Sequence, residues 1–102
     1  KFSITKDGDS LAALAKELRT TERQLVKYNN LGSKKTFVEG EVLYVGPKRQ
    51  RAADGNKVHV VKKGETLTKI SQYYAVRLDR LFKMNDLDEN SVLQVGDVIV
   101  LR

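Results

Sequence analysis

Hydrophobic and polar positions follow the same order twice along this chain. Each half opens with a short segment, residues 2–4 and 58–60, in which apolar side chains occupy alternate positions. Alternation with a period of two predicts a β-strand. Each half closes on an apolar run, residues 42–45 and 98–101, which predicts a second strand.

Two helices are predicted between the strands of each half. A hydroxyl residue that can cap a helix, Ser10 or Thr66, precedes the first of them. Thr21 and Gln24 form a capping-box pattern before the second helix of the first half, whereas Arg77 stands at the matching boundary of the second half. The apolar faces at helical spacing are Leu11, Leu14, Ala15 and Leu18, and then Leu67, Ile70, Ser71 and Tyr74.

A gapless internal repeat explains this pattern. Shifting the chain by 56 positions places Lys6 on Lys62 and Gly8 on Gly64, and the match continues to the closing strands. The repeat predicts an α+β fold of two tandem βααβ modules, residues 1–46 and 57–102. Each module is expected to form a two-stranded antiparallel sheet with both helices on one face. Residues 47–56 have the composition of a linker.

The residues shared by the two copies resemble the LysM (lysin motif) domain. The second copy carries the resemblance in residues 58–67, in Asn85 and Leu87, and in residues 95–99, and the first copy keeps the matching glycines and leucines. The resemblance implies a βααβ fold and binding to N-acetylglucosamine units of peptidoglycan or chitin. It also implies that the chain attaches a cell-wall hydrolase, such as a glucosaminidase, to its polymer. Plant and fungal members usually carry cysteines, so their absence here favours a bacterial protein and peptidoglycan.

The resemblance further implies a shallow sugar groove between the loop after the first strand and the loop before the last. Backbone amides near a glycine can approach an acetamido group closely, because no Cβ intervenes. Asp88 and Glu89 replace Gly32 and Ser33 in the second copy, and their repulsion from the anionic stems of peptidoglycan leads us to expect tighter binding by the first copy. The implied ligand-binding residues are Gly8, Asp9, Ser10, Leu11, Asn30, Leu31, Gly32 and Ser33, and then Gly64, Glu65, Thr66, Leu67, Asp86, Leu87 and Asp88.

Many of these residues also have an ordinary structural interpretation. The two loop glycines suit turns, and the polar residues that follow them suit helix caps, which we favour over ligand contact. Asn29 and Asn85 are interpreted as structural residues at helix ends. Leu31 and Leu87 are interpreted as core residues at the groove edge.

The side-chain inventory argues against catalysis, metals and cofactors. The chain has no cysteine, and His59 is its only histidine, so it offers neither a catalytic triad nor a Cys/His zinc site. Helical spacing places Tyr74 on the core face and leaves Tyr73 exposed. With no tryptophan to stack on a sugar, loop amides are the better candidate ligands.

The net charge of +6 is spread along the chain. Each copy carries eight basic and six acidic residues, or +2, which does not suit a nucleic-acid binder. No apolar run is long enough for membrane insertion, and residues 1–102 contain no signal-peptide pattern, so we expect any targeting signal to lie upstream in a longer chain. We expect a monomeric segment of a longer secreted, periplasmic or cell-envelope protein, fused to a catalytic domain. The alternative is a protein–protein interaction module that has lost its sugar groove.

Overall fold

A computed structural model describes residues Lys1–Arg102, which form two compact units, Lys1–Pro47 and Lys48–Arg102, called module 1 and module 2 below. Module 1 contains β1 (Phe2–Ile4), α1 (Leu11–Glu17), α2 (Glu22–Asn29) and β2 (Val42–Tyr44). Module 2 contains β3 (Val58–Val60), α3 (Leu67–Tyr74), α4 (Leu78–Asn85) and β4 (Val98–Val100). The predicted α+β fold with two βααβ units is therefore confirmed. No helix exceeds eight residues, and none could cross a membrane.

Each module has one antiparallel sheet of two strands. β1 pairs with β2, and β3 pairs with β4, with Ser3 opposite Leu43 and His59 opposite Ile99. Leu43 and Ile99 are buried, whereas the apolar neighbours of Ser3 and His59 within β1 and β3 are exposed. The polar middle residue of each opening strand therefore shares the covered face of the sheet, and the apolar residues of that strand lie on its open face.

The helices supply most of the apolar core. The predicted faces of α1 and α3 are buried except at Leu18 and Tyr74, their last positions, which are half-buried. Burial of each such leucine or isoleucine stabilises the fold by roughly 1.5–3 kcal/mol. The buried core residues are Leu11, Leu14, Ala15, Leu25, Phe37 and Leu43 in module 1, and Ala52, Val61, Leu67, Ile70, Val76, Leu81, Ile99 and Leu101 in module 2.

Side-chain caps begin three of the four helices. The Ser10 and Thr66 hydroxyls each accept a backbone N–H at 3.2 Å, at the start of α1 and α3. Thr21 accepts the Gln24 N–H at 3.1 Å, and the Gln24 side chain accepts the Thr20 hydroxyl rather than completing a capping box. Arg77 makes no side-chain cap, which agrees with the weaker helix-start signal in the sequence.

Two asparagines fasten the second helix of each module to its last strand. The amide nitrogen of Asn29 donates to the carbonyls of Leu25 and Tyr44, each at 2.9 Å, and its oxygen accepts the Tyr44 N–H at 2.7 Å. Asn85 repeats this arrangement with Leu81 and Val100 at the same distances. Both asparagines are thus structural, as interpreted, but they join two elements rather than cap one.

Part of the segment predicted as a linker packs on module 2. Arg49 donates its N–H to Ala75 and accepts the Arg77 N–H, each at 2.8 Å, which forms a parallel bridge beside Val76. Ala52 is only 3% exposed, and its N–H donates to Leu101 at 2.8 Å. Residues 48–52 therefore add an irregular edge to the core of module 2.

Lys48 is the buried cation of this edge. It is only 6% exposed, and its ammonium donates to Ser71 Oγ and Gln72 Oε1, each at 2.6 Å. Burial lowers the pKa of Lys48 to about 8, and the charge of Asp79 opposes part of that shift.

Candidate functional site

An open groove lies in module 2 between the loop after β3 and the loop before β4. Its volume is about 340 Å³, near the lower end of the range for small-molecule sites. Leucine and phenylalanine side chains form an apolar floor, and acidic and hydroxyl side chains stand at the rim. The lining residues are Glu65, Thr66, Leu67, Thr68, Leu78, Phe82, Leu87, Asp88, Glu89, Ser91, Val92 and Leu93.

The first groove loop is a tight turn that leads into α3. Gly64 has a φ of +81°, a left-handed conformation that side chains with a Cβ rarely adopt. Thr66 serves as the helix cap, and Leu67 is buried in the core. The Glu65 carboxylate accepts the Lys62 N–H at 2.7 Å and so closes the turn.

A histidine behind this loop was missed by sequence reasoning. His59 Nε2 lies 2.8 Å from Glu65 Oε1, and His59 Nδ1 lies 2.8 Å from the Tyr74 hydroxyl. The hydrogen bond from His59 is the largest cause that lowers the pKa of Glu65, followed by the N–H of Lys62. Burial raises the pKa of Tyr74. His59, Glu65 and Tyr74 come together because the strand, the turn and the helix bring them to one side of module 2. Their separation in the sequence gives no sign of this contact.

The second groove loop folds back on itself. Asp86 ends α4 in a left-handed conformation with a φ of 55°, and the Leu87 N–H donates to Phe82 at 2.8 Å. Asp88 then accepts the Asn90 N–H at 2.8 Å, and its own N–H donates to the Ser91 hydroxyl at 3.0 Å. Leu87 and Asp88, two residues that the resemblance implies are ligand-binding, line the groove, whereas Gly64 and Asp86 shape the loops without lining it.

The corresponding loops of module 1 are joined to each other. Gly8 donates to Phe37 at 3.2 Å, Phe37 donates to Asp9 at 3.0 Å, and Leu11 donates to Lys35 at 2.8 Å. Ser10 also forms an antiparallel bridge with Thr36. No such hydrogen bonds connect residues 64–67 with residues 91–93 in module 2.

This difference begins at one loop position. Gly32 has a φ of +60°, whereas its counterpart Asp88 does not adopt a positive φ. Both modules reach that point through the same left-handed helix end, at Asn30 and at Asp86. The two chains therefore follow different paths after this helix end. In module 1 the second loop returns to the first loop, whereas in module 2 it forms the turn around Asp88.

The remaining predicted residues of module 1 have structural contacts. Asp9 accepts the Lys6 N–H at 2.8 Å, and Leu11 is buried. Leu31 is half-buried against the core and accepts the Lys34 N–H at 3.1 Å. Ser33 is exposed.

The groove of module 2 suits an uncharged polar ligand with an apolar group. Glu65 is held as a carboxylate by its hydrogen bonds, which is opposite to the raised pKa that a general acid needs. No group of three or more His, Cys, Asp and Glu side chains is placed to hold a metal ion. The available chemistry is recognition by backbone amides, carbonyls and an apolar floor.

Comparison with known families agrees with this fold. The model of the LysM domain matches residues 4–46 and 59–102. The chain belongs to the LysM domain family. LysM is a binding domain, and both units described above are LysM domains.

Relatives of this LysM pair include bacterial and phage proteins. The chain is 31% identical over 102 residues to an endolysin of Bacillus phage PZA, covering 99% of this chain and 37% of the endolysin. It is 30% identical over 102 residues to the probable peptidoglycan endopeptidase LytE of Bacillus subtilis strain 168, covering 95% of this chain and 30% of that protein. The chain therefore spans about a third of the length of these relatives.

A third relative and one solved structure match as well. The N-acetylmuramoyl-L-alanine amidase XlyA of Bacillus subtilis strain 168 is 32% identical over 47 residues, which cover 46% of this chain and 16% of the amidase. The crystal structure of the Bacillus cereus spore cortex-lytic enzyme SleL matches with a TM-score of 0.45 and 31% identity, covering 100% of this chain and 22% of SleL.

Proposed function

We propose that this LysM pair attaches a longer parent protein to peptidoglycan by binding N-acetylglucosamine units of the glycan strands. The proposal is supported by membership of the LysM family and by relatives named as an endolysin, a peptidoglycan endopeptidase and an amidase. The corresponding location is the cell wall, outside the cytoplasm. Catalysis belongs to another domain of the parent protein.

The open groove of module 2 is the observation that carries this proposal. The backbone groups that join the loops of module 1 have no intramolecular partner in module 2. They are the N–H groups of Gly64, Leu67 and Leu93, and the carbonyls of Glu65, Ser91 and Leu93. An acetamido group offers one donor, one acceptor and a methyl group. Its polar atoms can pair with these backbone groups, while Leu67 and Phe82 shelter the methyl group.

This geometry supports module 2 as the main glycan site. The corresponding amides of Gly8 and Leu11 in module 1 already donate to residues of the opposite loop. A ligand would have to displace those hydrogen bonds before it could bind. The proposal therefore reverses the expectation, based on loop charge, that the first copy binds more tightly.

The test is a pull-down of the chain on insoluble peptidoglycan and on chitin, at low and high salt. We expect retention on peptidoglycan at high salt, with release by soluble N-acetylglucosamine oligomers. Binding through uncharged groups depends weakly on salt, whereas binding through lysines to an anionic polymer is lost steeply. Retention only at low salt would contradict the proposal, and stronger retention on chitin would change the polymer assigned.

A matched pair of variants assigns the binding to module 2. Val92 lines the groove and is 84% exposed, so Val92→Trp fills the groove without disturbing the core. Thr36 is its exposed counterpart in module 1. We expect Val92→Trp to abolish retention and Thr36→Trp to preserve it. The opposite result would place the site in module 1.

Docking of a protein partner is the second candidate function, favoured by the apolar open face of each sheet. Phe2 and Ile4 in module 1, and Val58, Val60 and Val98 in module 2, are each more than half exposed. A protein partner that binds this face would be released by Val60→Lys and unaffected by Val92→Trp.

A further inference from the structure

We propose that His59 is a positioning residue for glycan binding, which holds the first groove loop of module 2 in its binding conformation through Glu65. The inference rests on the proposed function of the groove. It adds a residue that does not line the groove and whose counterpart in module 1 is Ser3.

The hydrogen-bond geometry makes His59 a link between α3 and the loop. The side chain of His59 is 13% exposed and packs edge-on against the Tyr74 ring, with ring centroids 5.4 Å apart. In neutral His59, the Tyr74 hydroxyl donates to Nδ1 and Nε2–H donates to Glu65. In protonated His59, Nδ1–H donates to the Tyr74 oxygen and Nε2–H still donates to Glu65. The loop is therefore held in both charge states of the imidazole.

Glu65 connects the hydrogen bond from His59 to the wall of the groove. The same oxygen, Oε1, accepts from His59 at 2.8 Å and from the Lys62 N–H at 2.7 Å. The Glu65 N–H donates back to the Lys62 carbonyl at 3.2 Å, so the turn is closed from both sides. Glu65, Thr66 and Leu67 all line the groove, and a shift of the turn would displace that wall.

The two modules show why module 2 needs this link. In module 1, Asp9 also closes its turn by accepting the Lys6 N–H, but Ser3 and Leu18 replace His59 and Tyr74. There the loop is fixed instead by its hydrogen bonds to residues 35–37. Module 2 lacks those hydrogen bonds, so the bond from His59 is the remaining side-chain restraint between the sheet and the loop.

The charged and titratable groups around His59 determine how binding depends on pH. Glu65 faces His59 from the loop, and Tyr74 faces it from α3. The Tyr73 ring packs edge-on against the Tyr74 ring, with ring centroids 4.9 Å apart. Lys62 adds positive charge beside Glu65. Protonation of Glu65 removes the charge that strengthens its hydrogen bonds to His59 and Lys62, so binding weakens in acid as the pH falls through the pKa of Glu65. Removing His59 raises that pKa and moves the loss to higher pH.

The test is a titration of the full chain with the N-acetylglucosamine tetramer, followed by NMR. The amides of Gly8 and Gly64 report on the two modules separately. We expect His59→Leu to weaken binding at Gly64 by at least about tenfold, the size expected for one lost hydrogen bond to a charged group, with no change at Gly8. His59→Gln keeps an N–H donor and should restore most of the affinity. Tyr73→Phe, which alters a neighbour outside the hydrogen-bond chain, is the matched control.

A double variant separates positioning from general damage to the fold. If His59 acts through Glu65, then His59→Leu combined with Glu65→Ala, which removes the acceptor, binds no more weakly than Glu65→Ala alone. Multiplied losses in the double variant would overturn the proposal. If His59→Leu does not fold, His59→Gln and Tyr74→Phe provide the same test. Each variant shifts the pH below which binding is lost only if the hydrogen bonds from Tyr74 through His59 to Glu65 position the groove loop.

The outcomes distinguish this inference from the proposed function. Absence of any shift at Gly8 and Gly64 in the unmodified chain overturns glycan binding and the role of His59 with it. Binding at Gly64 that His59→Leu leaves unchanged, with the same acid limit, overturns the role of His59 while glycan binding stands.

Discussion

Single side chains that join two elements are central to the stability of these small modules. Asn29 and Asn85 each link a helix to a strand by three hydrogen bonds. Lys48 places an ammonium in the interior of module 2, where Ser71 and Gln72 replace part of its lost hydration. Removing one of these residues leaves two or more polar groups without their partner, so its effect should exceed that of a surface substitution.

Asn85→Ala is predicted to lower the free energy of unfolding of module 2 by about 1–2 kcal/mol, because the N–H and carbonyl of Val100 lose their partner. Thermal unfolding followed by circular dichroism measures the change. Asn90→Ala, at an exposed loop position, is the control and should leave stability unchanged. Equal effects of the two substitutions would contradict the structural role of Asn85.

Burial of Lys48 leads us to predict that module 2 becomes more stable in alkaline solution. Its pKa falls from 10.5 in the unfolded chain to about 8 in the folded state, so the folded state loses this proton first. The free energy of unfolding should therefore increase between pH 8 and 10.5 by at most about 3 kcal/mol, and this gain is lost as the pH falls back through 8.

Lys48→Met provides the comparison for this effect, since it removes the titrating amine and leaves the other groups in place. Urea unfolding of both proteins across that pH range measures the difference. Parallel pH profiles for the two proteins would show that Lys48 is not the cause. Subtracting the profiles also removes the contribution of Tyr74, which is common to both.

At the scale of elements, packing decides what the local sequence only suggests. Helices of seven or eight residues and two-stranded sheets are marginal in water by themselves, so each element depends on the core that it covers. Sequence patterns predicted the helices well because Ser10, Thr21 and Thr66 mark their starts and apolar spacing marks their faces. The same patterns could not show which face of β3 is covered. His59 lies on the covered face because it hydrogen-bonds to Glu65 in the turn and to Tyr74 in α3.

The loops before the last strands were the least predictable elements. The replacement of Gly32 by Asp88 is visible in the sequence and was interpreted as a change of charge. Its larger effect is on the backbone, because Gly32 adopts a left-handed conformation and Asp88 does not. The resemblance implied which loops lie beside each other, but only the torsion angles and hydrogen bonds distinguish the open groove of module 2 from the joined loops of module 1.

Gly32→Ala is predicted to weaken the joined loops of module 1. Alanine in a left-handed conformation costs about 1 kcal/mol, so the loop should open more often. Hydrogen exchange of the Gly8, Leu11 and Phe37 amides, whose hydrogen bonds join the loops, should become faster. Gly46→Ala is the matched control, because Gly46 has neither a positive φ nor a close neighbour. Faster exchange in both variants would rule out a specific role for Gly32.

At the scale of the whole chain, the internal repeat was the most informative signal. One gapless shift predicted the order of eight elements, since matched apolar positions require matched cores. It gave no indication that residues 48–52 complete the core of module 2, because that segment lies between the two repeated segments and has no matched counterpart that would reveal its packing. Composition alone described it as a linker.

The single loop torsion at Gly32 and its counterpart also has a consequence for how such proteins diversify. A duplicated domain can change the path of a surface loop, beginning at one position, while its interior remains intact. Tandem copies can therefore vary their loops separately, since one copy preserves the architecture while the other changes.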